Sequence, residues 1–230
     1  MAIERTGYTV SSFGGTQNTT NTVSHTVSGS NTLLLTFFTI YNSTTDVVTG
    51  VTYAGTAMTR VNYAPYPGTS PRQMYCYALV SPTSGANNLV ISTSAANYCS
   101  AGIITYAGCK QVQPEATTYG ATANNSSPMT LSVTTLTDND WVVGAFHGEG
   151  TAISASTGST FVFHIEGTNC DYAEYSSNAK TPAGSASMAY NVATANNWPS
   201  LGILTAFAPF VTAAGPTPLI HRIKGRGISH

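Results

Sequence analysis

A chain of 230 residues with 42% hydrophobic but only 7% charged residues can bury a sizeable core yet has almost nothing from which to build a charged surface, since an average soluble domain carries roughly 25% charged residues. Its surface must be made of Ser, Thr, Asn, Gly and Ala, which gives little electrostatic steering and argues against a free cytosolic enzyme. Net charge is −1 but uneven: residues 1–210 hold five basic and nine acidic side chains, and residues 211–230 hold three basic and none acidic.

From the N-terminus, MAIERTGYTV has Glu4 and Arg5 and no apolar stretch behind them, so no secretory leader is expected. Short runs rich in Val, Ile, Thr, Tyr and Phe, punctuated by Gly, Pro, Asn and Ser, predict strands near 7–13, 20–27, 32–41, 47–54, 57–63, 72–80, 87–94, 101–107, 129–135, 140–147, 160–166, 171–176, 185–192 and 200–208. LLLTFFTI is too short to span a membrane. No window supports an amphipathic helix. In RQMYCYALV, Met74, Cys76, Ala78 and Val80 share one face and Tyr75, Tyr77 and Leu79 the other. A strand apolar on both faces belongs in the middle of a sandwich or at a contact.

The chain also repeats itself. NTLLLTFF at 31 recurs as NDWVVGAF at 139, PTSGANNLVIS at 82 as TPAGSASMAYN at 181, and GIITYAG at 102 as GILTAFAP at 202. The order is kept at offsets of about one hundred residues, which suggests duplicated sheets. The polar stretch 110–128 reads as a link between halves or a long crossover. The expected fold is all-β: an antiparallel, jelly-roll-like β-sandwich over 1–210 with similar halves 1–110 and 128–210, followed by an extended C-terminal tail. Cys76, Cys99, Cys109 and Cys170 form no C-x-x-C pair and read as buried thiols, with a Cys99–Cys109 disulfide as the alternative.

The succession HTVSGSNTLLLTFFTI, VTGVTYAGTAMTRV, MYCYALVSPTSGANNLVIS and GIITYAG, then LSVTTLTDNDWVVGAF and NNWPSLGILTAF, resembles a β-sandwich module of phage virion proteins and secreted bacterial proteins. The resemblance covers the chain to about Pro209. It implies a structural or adhesive part and brings no catalytic residue with it.

Chemistry is sparse. His147-Gly-Glu149 and His164-Ile-Glu166 are weak metal candidates, because residues two apart on a strand point the same way and neighbouring strands could gather both pairs. Ordinary polar positions at strand ends are the stronger reading, and no metal or other cofactor is expected. Glu149 and Glu166 as a glycosidase pair lack aromatic platforms beyond Trp141 and Trp198. Asp138-Asn139-Asp140 fits a tight turn better than a calcium loop. With no G-x-S-x-G elbow, Walker loop or dinucleotide fingerprint, the chain reads as non-enzymatic. Tyr63, Tyr66, Arg72 and Tyr75 surround the loop APYPGTSPR and form a candidate glycan- or protein-binding patch, weighed against simple packing of the sandwich rim.

In the tail, Pro216 and Pro218 keep the chain extended, and Leu219, Ile220, Ile223 and Ile228 are interspersed with His221, Arg222, Lys224 and Arg226. Four bulky aliphatics would be wasted on phosphate, so a docking arm 211–230 that grips protein is expected rather than a nucleic-acid arm. The sequence therefore points to a virion structural protein at the particle surface, such as a phage capsid decoration. Its expected partners are capsid or tail proteins and its own copies, guessed to be three, with neither nucleic acid nor membrane. The alternative is a receptor- or carbohydrate-binding module of a tail fibre or cell surface.

Overall fold

The computed structural model describes residues 2–12, 16–66, 71–122, 127–148, 153–165, 170–192 and 200–211. The arm from 212 onward, Glu149, Glu166, Trp198 and loop residues 67–70 lie outside them.

The described residues form sixteen strands and no helix. The first half holds β1 (Glu4–Ser12), β2 (Asn18–Val27), β3 (Leu33–Tyr41), β4 (Val48–Tyr53), β5 (Thr56–Ala57), β6 (Thr59–Pro65), β7 (Arg72–Val80) and β8 (Gly85–Ala107). The second holds β9 (Ala116–Thr122), β10 (Met129–Thr134), β11 (Asp140–Gly148), β12 (Ile153–Ala155), β13 (Ser159–Ile165), β14 (Cys170–Lys180), β15 (Ser185–Val192) and β16 (Ser200–Phe207). The chain is thus an all-β antiparallel sandwich of two similar halves. Two expectations needed correction. The polar stretch after residue 110 carries strand β9, and the segments read as 87–94 and 101–107 are one continuous strand, β8. Polar, Thr-rich β9 hides from an apolar-pattern search because it lies at a sheet edge beside β16.

β8 is 23 residues long because it serves two sheets. Its N-terminal part pairs with β2 and β4, and its C-terminal part with β1 and β3. At the corner the side chains of Thr93 and Asn97 both donate to the carbonyl of Ala95. The result is two layers, β1-β8-β3-β7-β6 and β2-β8-β4-β5. The second half repeats the plan as β9-β16-β11-β14-β13 and β10-β15-β12, with β15 and β16 in place of the two parts of β8. The duplication seen in the sequence is therefore a duplication of topology. Asn31 and Asn139, at matching places before β3 and β11, both adopt positive φ (50° and 66°), a conformation Asn tolerates better than most residues.

The sheets stack four deep. β3, β7 and the second part of β8 present Leu34, Phe38, Tyr75, Tyr77 and Ile103 to an outer core shared with β2 and β4, and Leu35, Phe37, Cys76 and Ile104 to a middle core. Across that core stand Val143, Ala145, Tyr172, Leu201 and Ile203 of β11, β14 and β16. The other faces of those strands meet β10 and β15 in a third core around Phe146, Met188, Tyr190 and Leu204. The two-faced apolar pattern of β7 is the signature of this stacking.

Aromatic pairs run across the middle core: Tyr8 stacks on Phe163 at 4.8 Å, Phe37 meets Tyr172 at 5.3 Å, and Tyr106 meets Trp141 and Phe207 at 5.4 and 4.9 Å. Buried among them is one ionic group. Glu174 on β14 accepts from the Tyr106 hydroxyl at 2.6 Å and pairs with Arg5 at 3.1 Å, while the Tyr106 and Tyr172 hydroxyls lie 2.7 Å apart. Burial pushes both phenols well above their ordinary pKa, so they stay protonated and able to donate. Arg5 and Tyr106 belong to one half, Tyr172 and Glu174 to the other. Glu174→Ala is expected to lower the unfolding free energy by about 3 kcal/mol, because the buried Tyr106 hydroxyl and the Arg5 guanidinium lose their common partner. Denaturant titration followed by tryptophan fluorescence and by far-UV circular dichroism should give coincident transitions for both proteins. A loss below about 0.5 kcal/mol, or transitions that separate, would contradict the clasp.

Candidate functional site

The residues singled out in the sequence do not assemble. His147, 3% exposed at the end of β11, lies edge-on to Tyr41 at 5.9 Å. His164 is on β13, with β14 between them. His147 pairs with position 170 of β14 and His164 with position 171. Successive strand positions belong to opposite faces, so the two imidazoles face opposite sides of the sheet. Their partners Glu149 and Glu166 lie outside the described residues. Among the described residues, no three or more His, Cys, Asp or Glu side chains come together as a metal site would require.

The tyrosine patch is split in the same way. Tyr75 is fully buried, stacked on Phe38 at 5.0 Å and tilted against Tyr63 at 4.9 Å, on the outer-core face. Tyr66 packs against the middle core, and the Arg72 guanidinium sits 4.6 Å over the Tyr41 ring. What surrounds Tyr63 and Tyr75 is a cluster the sequence reading missed. Arg60 lies 5.6–5.8 Å from the rings of Tyr63, Tyr75 and Tyr77, donates to the Tyr77 hydroxyl at 2.9 Å and pairs with Asp46 at 2.5 Å. The hydroxyls of Tyr63 and Tyr75 both reach Gln73 Oε1. Arg60 thus occupies the place between the rings that a cationic ligand would take.

Cys76, Cys99 and Cys109 are free and buried, so the Cys99–Cys109 disulfide does not form. Burial pushes the Cys109 thiol up to about 12, which removes thiolate chemistry at neutral pH.

Asp138-Asn139-Asp140 is a turn. Asp138 Oδ1 accepts from the Ala183 amide at 2.7 Å, and Asp140 Oδ2 accepts from the amides of Leu136 and Thr137 at 3.2 and 3.3 Å. Oxygens engaged by N–H donors present the wrong surroundings for a cation. Here the structure adds a partner, Glu115, from the stretch read as a linker. Its Oε1 accepts from the Leu136 amide at 2.9 Å and its Oε2 from the Thr137 hydroxyl at 3.0 Å. The two carboxyl groups grip one turn from both sides. Burial, then the hydrogen bond with Glu115, pushes the fully buried Asp140 up to about 7. Glu115, which its own partial burial would raise, is held below its ordinary value by the hydrogen bonds from Asp140, Leu136 and Thr137. Asp140 is therefore the protonated partner and Glu115 the ionised one. One hint stands in the sequence: Asp140 opens a strand whose next six residues, as far as His147, are apolar or small.

Apolar surface gathers at one edge. Segment 108–110 pairs with 208–210 through a bridge between Cys109 and Pro209, with Lys110 N donating to Ala208 O at 2.9 Å and Phe210 N to Gly108 O at 2.7 Å. These bonds interchange when 100 is added or subtracted, so a pseudo-twofold axis passes here. Gly108 is required at this junction: its φ is +74° and a Cβ would lie 2.3 Å from the Ala2 carbonyl oxygen. Pro209, Phe210 and Val211 separate two pockets. One, of about 360 Å³, is completed by Ala2, Ile3, Asn139, Trp141 and Ala179. The other, of about 430 Å³, is completed by Lys110, Gln111, Val112, Thr137 and Ala208. Val211 is 74% exposed, Leu136 66% and Val112 46%.

The carboxyl clamp makes stability depend on pH with a defined sign. A carboxyl whose folded pKa is raised loses stability as pH rises from its unfolded value near 3.8 to about 7. Buried His25, lowered to about 4 by desolvation and held neutral between Thr9 at 2.9 Å and Thr105 at 2.8 Å, loses stability as pH falls from 6.5 toward 4. Asn at 140 reproduces the protonated acid, accepting from the turn amides and donating to Glu115. Asp140→Asn is therefore expected to gain on the native chain as pH rises, its relative stability growing by about 2–3 kcal/mol between pH 5 and pH 8.5. Equal destabilisation at both pH values would reject the shared proton. No family model and no curated protein matches this chain.

Proposed function

We propose that the chain is a non-enzymatic virion structural protein, a phage capsid decoration or comparable exterior component, held in place by its C-terminal arm. The observation that carries this reading is the edge from which the arm departs. The exposed large aliphatics Val112, Leu136 and Val211 gather there beside two apolar pockets, on a molecule whose other exposed large apolar side chains, among the described residues, are the aromatics Tyr8, Tyr98, Tyr119 and Phe161. Such a patch on a charge-poor protein is what an assembly contact needs, because association there removes apolar surface from water without desolvating many ions. The four-layer stack supports the same reading, since Tyr66 and Arg72 pack on the body and Arg60 already fills the space between the rings of Tyr63, Tyr75 and Tyr77. An arm of aliphatics and cations, leaving from Val211, supplies the tether.

The test is incorporation. Chains ending at Val211 should fold with an unchanged melting temperature and fail to join particles during assembly, while the full chain joins and is found at the surface by immunogold labelling. Truncated chains that join particles as well as the full chain would overturn the proposal, as would absence of the full chain from particles.

A further inference from the structure

The two halves end differently. Residues 111 and 211 are equivalent about the pseudo-twofold junction of Cys109 and Pro209. In the first half Gln111 closes the exit: its amide nitrogen donates to the carbonyls of Cys109 at 2.9 Å and Thr32 at 3.5 Å, and its amide oxygen accepts from the Ser81 hydroxyl. In the second half Val211 makes no such closure possible. It is 74% exposed, and Thr181, at the place of Ser81, is bonded instead to Asn139 at 2.7 Å. The pocket of about 360 Å³ lies where a plug would sit, walled by Ile3, Trp141, Ala179 and Phe210.

We propose that this pocket is the receptor for the arm of a second copy of this chain, and that arms are exchanged between copies. The inference rests on the arm reading above and gives it a seat. Nineteen residues, 212–230, follow Val211, and among them Leu219, Ile220, Ile223 and Ile228 are the side chains fit for an apolar pocket. Pro216 and Pro218 favour an extended approach in the sequence. Eight residues, if extended, would span about 26 Å, enough to carry Leu219 past the pocket beside its own Val211 to that of a neighbour. Charge agrees. The lining itself carries no charge; next to it in sequence stand two exposed acids, Glu4 beside Ile3 and Asp138 beside Asn139, against one cation, Lys180 beside Ala179. Arg222, Lys224 and Arg226 flank the isoleucines with the complementary sign. Reciprocal exchange puts two arms into one interface and doubles its total buried area, which brings short straps toward the ~1,200 Å² that a stable interface requires.

The experiment uses the full chain in equal mixture of ¹⁴N- and ¹⁵N-labelled forms, with a photo-crosslinking amino acid replacing His221. Cross-links to peptides holding Ile3 or residues 139–141, in mixed-isotope pairs, are expected, together with an oligomeric mass by light scattering. Ile223→Asp lies outside the sandwich and leaves its folding intact; Ala179→Trp plugs the pocket from the other side. Each should raise the dissociation constant of the oligomer by about tenfold or more. A monomeric full chain, same-isotope cross-links alone, or an oligomer that Ile223→Asp leaves unchanged would overturn the exchange. A chain that is monomeric by itself but still enters particles through its arm would overturn this inference and leave the proposed function standing. Exchanged arms in a chain that never enters particles would do the reverse.

Discussion

The middle sheets, β1-β8-β3-β7-β6 and β13-β14-β11-β16-β9, are covered on both faces, so their backbone polar groups must pair inside the protein and their side chains must be apolar or locally satisfied. Threonine is the polar residue that meets this condition most cheaply: Thr36 donates to the Gly102 carbonyl and Thr205 to that of Ala116. A carboxylate meets it only with several donors, and Glu174 has two sources, Tyr106 and Arg5, on the opposite half. Its charge therefore cannot be satisfied by either half alone. A lone half would also expose the face of Leu35, Phe37 and Cys76 to water. Stacking answers both problems at once, which is the physical reason for two copies of one topology in a single chain.

Duplication about a pseudo-twofold axis explains why the junctions resemble each other, and the departures from symmetry show where the halves have separate duties. The first half runs on from Cys109 into β9, whose edge position beside β16 matches that of β1 beside β8. Its exit is thus continued by chain and fastened by Gln111. The carboxyl clamp of Glu115 and Asp140 lies on the same passage and ties the start of β9 to the turn before β11. Here a proton replaces a cation as the means of holding two acids together, and a turn is fixed by two carboxyl groups that carry one charge instead of two.

Much of this was legible in the sequence, for identifiable reasons. Near-continuous apolar runs located β3, β7 and β11 because burial on both faces imposes them, and the repeated Asn before β3 and β11 marked equivalent turns. β9 was illegible because an edge strand of Ala, Thr, Tyr and Gly carries no apolar period. The unity of β8 was illegible because its corner residues, Thr93 to Asn97, look like a turn in sequence and are a bend in one strand. The site candidates failed differently. Spacing says that His147 and Glu149 share a face, but only register says whether His147 and His164 do, and register depends on pairings that local sequence does not encode. Tyr75 and Arg72 share that fate, being three apart on a strand and hence on opposite faces. Glu115 and Asp140 are 25 residues apart, and only the pairing of β9 with β16 brings them to one turn.

The scarcity of charge becomes intelligible from the way the molecule is held together. Stability comes from three apolar cores and from neutral hydrogen bonds, with Glu174 of the Arg5–Glu174 contact buried and the Arg60–Asp46 contact exposed. Screening by salt reaches the buried carboxylate less than the exposed pair, and neutral surfaces are indifferent to it. A body so built gives neighbours no long-range electrostatic address, so recognition must come from shape and apolar contact at short range. In the sequence the basic residues that do cluster, Arg222, Lys224 and Arg226, stand near isoleucines, and on the arm proposed above they would orient an approach whose grip the aliphatic side chains supply.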